Sequence, residues 1–212
     1  MCDCPFCKES FFPYRKKLGV NIEESIIYQD ENIFVTPDIS PIGEGHFLII
    51  TWDHYCNFAC APQTVRDSVK KAIKFISEKV YEGDNFLLFE HGSTNLKKSG
   101  NSIDHAHIHT VKGAYSLSAE VEKQGLYSEF INISLDDYAN DYSQKAYVWI
   151  LEGKNSSFFT NPNIPSQYLR KVFKEKYPTA TSYSFDWRKE HTTNESLTGY
   201  FNNLKYAKKI NE

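Results

Sequence analysis

Apolar positions along the first half of the chain repeat with two different periods. Two short runs come first: Ser25 to Gln29 and Ile33 to Pro37 read as strands, joined by a turn at Asp30-Glu31-Asn32. Pro41 to Gly45 is a second turn. After it, His46-Phe47-Leu48-Ile49-Ile50-Thr51-Trp52 has the unbroken apolar character of a buried strand. The pattern predicts an antiparallel meander. From Pro62 to about Glu82 the period becomes helical, with Val65, Val69, Ala72, Ile73, Ile76 and Val80 in one stripe and Lys70, Lys71, Lys74 and Lys79 between them. Pro62 suits the first turn of such a helix and Gly83 its end. A long helix with one apolar stripe needs a sheet face to cover, and the meander supplies one.

Asn85 to Glu90 is a further strand, running into His91-Gly92-Ser93. A polar loop, Thr94 to Asn101, separates it from an apolar stretch at Ile103 to Val111 that reads as a strand. Beyond Gly113 the pattern weakens. Ser116 to Ser143 is polar and reads as a long connection or a lid, Ala146 to Leu151 as a strand, and Ser166 to Tyr177 and Thr193 to Lys208 as helices. Thr192 and Glu195 would form a capping box for the last of these. The expected fold is α+β: a central antiparallel sheet with one long packed helix over residues 1–115, then a mixed α/β extension over 116–212.

Composition narrows the function. At 41% hydrophobic and 24% charged residues the chain is globular. A net charge of −3 argues against general attraction to nucleic acid polymers or anionic membranes, so any phosphate must be held by a local site. No run approaches the roughly 18 apolar residues of a membrane span. The Met1-Cys2-Asp3-Cys4 start has neither the basic nor the apolar region of a signal peptide, so a cytoplasmic protein is expected. The Asn-x-Ser triplets at Asn132, Asn155 and Asn194 then read as chance matches. Five cysteines in two clusters suit a metal or free thiols better than a disulfide framework. Cys4-Pro5-Phe6-Cys7 is half of a zinc site, needing two more ligands; Cys2 competes with Cys4 for that place, and Cys56 and Cys60 read as small core residues.

The densest chemistry lies in Gly100-Asn101-Ser102-Ile103-Asp104-His105-Ala106-His107-Ile108-His109-Thr110-Val111. On a strand, side chains alternate, so His105, His107 and His109 share one face at spacings of ~6–7 Å. Three imidazoles in such a row cannot all bind one metal, but each can take a separate task. Three of the seven histidines at strict alternation argue against a chance surface patch.

The block resembles the histidine triad signature, in which three histidines alternate with apolar residues after a Gly-Gln-Ser-like segment. Here Asn101 stands where Gln is common, and Thr110 is a mild departure. Phe89-Glu90-His91-Gly92 resembles the Phe-Glu-Asn-x-Gly stretch of the related galactose-1-phosphate uridylyltransferases, with His91 in the Asn place. Gly43-Glu44-Gly45-His46-Phe47-Leu48-Ile49-Ile50, followed by His54, resembles the Gly-His-x-Leu-x-Ile…His run of histidine triad proteins. The resemblance covers about residues 1–115.

The resemblance implies a histidine-triad antiparallel fold, a nucleotide as small-molecule substrate, and a homodimer. It makes His107 the nucleophile of a covalent nucleotidyl-imidazole intermediate. This suits a group whose pKa of ~6.5 leaves it largely neutral near pH 7. His109 would donate to phosphate or leaving group. Ser102, His91 and Asn101 would hold non-bridging oxygens, with Gly100 and Lys98 lining the substrate site and Lys97 beside them. The resemblance also completes the zinc site, as Cys4, Cys7, His54 and His105 around one structural ion. Uridylyltransferases of this superfamily carry Gln at the third triad position, so His109 tilts the reading toward hydrolysis of a nucleotidyl phosphoanhydride or phosphoramidate bond, for example in a dinucleoside polyphosphate. Transfer to phosphate or a sugar phosphate, a non-catalytic nucleotide-binding module, and a metallohydrolase remain the alternatives. In the tail, Arg170 and Arg188 would be phosphate contacts if they face the site, and Trp187 a stacking surface for a base.

Overall fold

The apolar stripe of the long helix meets the apolar runs that precede it. In the computed structural model, which describes residues 4–17, 19, 25–94, 103–177 and 194–208, the elements in chain order are α1 (Lys8–Lys17), β1 (Tyr28–Gln29), β2 (Ile33–Pro37), β3 (Phe47–Thr51), α2 (Gln63–Phe75), β4 (Phe86–Gly92), β5 (His107–Lys112), α3 (Leu117–Gln124), β6 (Glu129–Ile131), α4 (Leu135–Tyr142), β7 (Tyr147–Glu152), β8 (Asn155–Thr160), α5 (Tyr168–Lys176) and α6 (Asn194–Lys208). A π-helical turn, Ile76–Val80, prolongs α2. The helix expected from Pro62 to about Glu82 is thus present, with Pro62 as its N-cap and Gly83 at φ +81° just beyond it.

All eight strands join one antiparallel sheet in the order β1-β2-β3-β5-β4-β7-β8-β6. Successive strand residues face opposite sides, so each strand feeds two cores. On one face Ile33, Val35, Phe47, Ile49, Leu88 and Ile108 pack under the α2 stripe, with Leu135 and Tyr138 of α4 beside it. The other face is covered in two parts. Phe11 of α1 covers Phe34, Leu48 and Ile50. Leu117 and Val121 of α3, with Leu169 and Phe173 of α5, cover Leu87, Phe89, Val111, Val148 and Ile150. His107 and His109 lie on this second face, on the strand between the two coverings.

Sequence patterning left several elements unread. The Ser116–Ser143 stretch is no lid: it holds α3, β6 and α4, and α4 packs on the face opposite the triad. Short elements anchored by a few apolar residues each, such as Leu135, Tyr138 and Ala139, leave little periodicity to detect. The α1 helix and β8 were not expected, and Thr192 of the expected capping box lies outside the described residues. Gly92 is needed for space: a Cβ there would stand 2.3 Å from the ring of Tyr147, which crosses over it from β7. No described helix is long and apolar enough to cross a membrane.

Candidate active site and metal cluster

The N-terminal Cys4-Pro5-Phe6-Cys7 segment closes a turn, with Cys7 N–H donating to the Cys4 carbonyl at 3.2 Å before α1 begins. This turns both thiols toward the start of β5. His105 meets them there, which corrects the expected strand. β5 begins at His107 rather than Ile103, and His105 lies in the bend before it instead of standing in the same row. Local contacts impose the bend: Ala106 N–H donates to the Tyr55 carbonyl at 2.6 Å, and His105 Nε2–H donates to the Thr51 carbonyl at 2.8 Å. That second bond places the lone pair of neutral His105 on Nδ1, which faces Cys4 Sγ at 3.4 Å and Cys7 Sγ at 3.8 Å. His54 Nδ1 approaches Cys7 Sγ at 3.3 Å.

The ligating atoms of Cys4, Cys7, His54 and His105 all lie within 4.8 Å of one another. A tetrahedral zinc with bonds of ~2.3 Å to sulfur and ~2.0–2.1 Å to nitrogen has S···N edges of about 3.6 Å, and the three distances fit that figure. Two soft thiolates and two imidazoles suit zinc, and the Thr51 bond is the kind of outer contact that orients a ligating histidine. With no position left over, such a site is structural.

His107 and His109 project from β5 with ring centroids 5.2 Å apart. Each keeps only 8% of its surface exposed. His107 Nδ1–H donates to the His105 carbonyl at 2.6 Å, so its lone pair is on Nε2. Phe6 stands edge-on to the His107 ring at 5.0 Å, and Phe89 stacks on His109 at 4.6 Å. His109 is oriented by His46, a residue that the sequence reading had only as part of a motif. Ile42 N–H donates to His46 Nδ1 at 3.0 Å, so the proton of neutral His46 is on Nε2 and is given to His109 Nδ1 at 2.9 Å. His109 therefore carries its own proton on Nε2.

Burial keeps these rings neutral. Desolvation is the largest cause in each case, taking His46 down to about 3 and His109 well below the ordinary imidazole value; His107 is also lowered, against the opposing bond to the His105 carbonyl. Asp38, next in space, offers Oδ2 at 3.7 Å from His46 Nε2 and 3.8 Å from His109 Nδ1. The same oxygen accepts from Arg170 Nη1 at 3.0 Å, and Arg170 Nη2 donates to the Ser40 carbonyl. Asp38, His46 and His109 are thus close enough to share a cation, but a guanidinium already holds the carboxylate and a hydrogen bond already joins the rings.

His91 is buried on β4, close enough to His109 to affect its charge. Gly100, Asn101 and Ser102, with Lys97 and Lys98, lie outside the described residues, as do Cys2, Trp187 and Arg188. Cys60, expected in the core, is exposed, and Cys56 is half-buried. Sequence reasoning missed Asp38 and had Glu90 only as part of a motif. Glu90 Oε1 accepts from Phe58 N–H at 3.0 Å and its Oε2 from Tyr147 Oη–H at 2.6 Å. The available signal for Asp38 was its place just before the Pro41 turn.

The family described as HIT domain matches residues 20–115. A HIT-like protein of Methanocaldococcus jannaschii, itself uncharacterized, is 27% identical over 63% of this chain and 94% of its own length. Among solved structures, a HIT family hydrolase from Clostridium thermocellum is 24% identical, with a TM-score of 0.40 over 54% of this chain and 93% of that one. Yeast Ap4A phosphorylase Apa2, solved in complex with AMP, is 14% identical, with a TM-score of 0.43 over 67% of this chain and 64% of that one.

Proposed function

We propose, from the premise that residues 20–115 are a HIT domain and the chain belongs to the HIT superfamily, that it hydrolyses a nucleotidyl phosphoanhydride or phosphoramidate bond through a covalent intermediate on His107. The observation that carries the reading is the His107 tautomer: with Nδ1–H committed to the His105 carbonyl, Nε2 holds the lone pair. That nitrogen attacks the α-phosphorus, an N–P bond forms and the bond to the leaving group breaks. A phosphate leaving group departs as an anion, and an amine takes a proton from solvent. Water then attacks phosphorus, the P–N bond breaks, and the nucleotide leaves with a proton released to solvent.

His109 assists as a donor. Its Nε2–H is oriented by the His46 bond, and it meets charge building on phosphate oxygens or the leaving group. Ser102, Asn101, His91, Gly100 and Lys98 complete the substrate site on this reading. Cys4, Cys7, His54 and His105, whose ligand atoms converge, would hold one zinc. Bound there, zinc would supply a rigid crosslink, leaving the phosphoryl chemistry to the protein. His109 in the third triad position favours water as acceptor over phosphate or a sugar phosphate. The expected homodimer and cytoplasmic setting go with this reading.

The test is a base-quenched incubation with an α-labelled dinucleoside polyphosphate or nucleotide phosphoramidate, followed by peptide mapping. The label is expected on His107, and His107→Ala is expected to lower turnover by roughly 10³-fold or more. Products made with and without added phosphate separate hydrolysis from transfer. Tight nucleotide binding without turnover would identify a binding module. Full activity in His107→Ala removes the mechanism.

A further inference from the structure

One part of the triad's surroundings comes from outside the HIT domain. Arg170 is on α5, beyond residue 115, yet it is buried and its guanidinium grips two points of the Asp38-Ile39-Ser40 segment. We propose that Arg170 is a positioning residue for the triad: by holding the Asp38 carboxylate, it prevents Asp38 from taking the His46 proton that orients His109. The proposal rests on the reaction proposed above only for its effect on turnover. The geometry on which it is built is independent of substrate.

Two acceptors compete for one hydrogen. His46 has a single proton to give from Nε2, because Nδ1 accepts from Ile42 N–H. Two acceptors lie near it, His109 Nδ1 at 2.9 Å and Asp38 Oδ2 at 3.7 Å. A carboxylate is the stronger acceptor of the two, since charge-assisted bonds are roughly twice as strong as neutral ones. It stays at the longer distance because Arg170 Nη1 occupies Oδ2 at 3.0 Å and Ser40 N–H occupies Oδ1 at 2.7 Å. The fork of the guanidinium, closed on the Ser40 carbonyl, fixes it where the charge is needed.

Without the guanidinium, a buried carboxylate would stand beside two imidazoles. Its cheapest remedy is to draw a proton onto one of them, turning the neutral His46–His109 pair into an imidazolium held by Asp38. His109 would then lose the acceptor arrangement that leaves its own proton on Nε2. The charged and titratable groups acting on the pair come from every side of it: Asp38 after β2, His91 on β4, His107 on β5 and Arg170 on α5. Of these, Arg170 carries the fixed positive charge.

The experiment is histidine ¹⁵N NMR of the zinc-loaded full chain across pH, with the pH profile of kcat in parallel. In the wild type, His46 and His109 should keep neutral Nε2–H signatures through the ordinary histidine range. Arg170→Gln should raise the pH at which the pair takes a proton by about 1–3 units, and the acid limb of kcat should move with it. Arg170→Gln with Asp38→Asn removes the competing carboxylate and should return the midpoint to its wild-type place. Arg170→Lys, which keeps the charge, should stay near the wild type and provides the readout if Arg170→Gln fails to fold. A charge-keeping variant whose midpoint moves as far as that of Arg170→Gln, or a folded Arg170→Gln whose midpoint does not move, overturns the proposal. Failure to find label on His107 would leave the NMR result intact, so the two readings fail separately.

Discussion

Glu90 carries the clearest pH consequence at the scale of one residue. Its carboxyl is buried on β4, where it ties Phe58 to Tyr147 and so anchors to the sheet the segment that bears His54. Burial raises its pKa from 4.5 to about 8, against the two hydrogen bonds it accepts. A group raised on folding gives its full stabilisation below the unfolded value, and that share is lost as pH climbs through the folded one. The loss for Glu90 therefore falls between about pH 4.5 and 8. Glu90→Gln keeps an acceptor for Phe58 and a partner for Tyr147 without a charge to bury. The Tm of the wild type should fall relative to that of Glu90→Gln across this window, read by calorimetry from pH 5 to 9. Parallel curves would show that the carboxyl does not charge at the expense of the fold.

At the scale of elements, the N-terminal turn and α1 are where a zinc crosslink would matter most. Phe11 packs on Phe34, Leu48 and Ile50, but the segment pairs with no strand of the sheet. A zinc held by Cys4, Cys7, His54 and His105 would link three otherwise separate pieces of chain: the N-terminal turn that leads into α1, the segment after β3, and the bend before β5. It would also set His105, whose carbonyl holds the His107 tautomer. Cys4→Ser and Cys7→Ser are each expected to bring zinc from about one ion per chain toward none, and to lower Tm, since the binding energy of a structural zinc is folding energy. Elemental analysis with a thermal melt checks both. One ion retained by Cys7→Ser would mean that the metal sits elsewhere.

Across the whole molecule, the sheet ignores the boundary near residue 115. β7 pairs with β4 along its length, and the side chains that cover Leu87, Phe89 and Val111 come from α3 and α5. A chain ending at residue 115 would expose an open strand edge beside uncovered apolar surface, which invites association. It is expected to lack a cooperative melt and to aggregate, read by circular dichroism and light scattering. A two-state melt near that of the full chain would mean that the first part folds alone. The placement of Arg170 has the same origin, since the helix that covers one end of the triad face also brings a guanidinium to it.

Whatever depends on neighbours along the chain was legible in the residues alone. The α2 stripe, the apolar β2, β3 and β4 runs, the paired cysteines and the alternation of His107 and His109 are all short-range patterns, and periods of two and 3.6 residues follow from backbone geometry alone. Which partner each group meets was fixed by long-range packing. Cys4 and His105 are 101 positions apart, and Asp38 and Arg170 are 132. The turning of His105 out of the histidine row, the tautomer relay from Ile42 through His46, and the burial that sets the charge of Glu90 are matters of distance and desolvation. Those quantities exist only once remote segments have packed, and so no reading of spacing along the chain contains them.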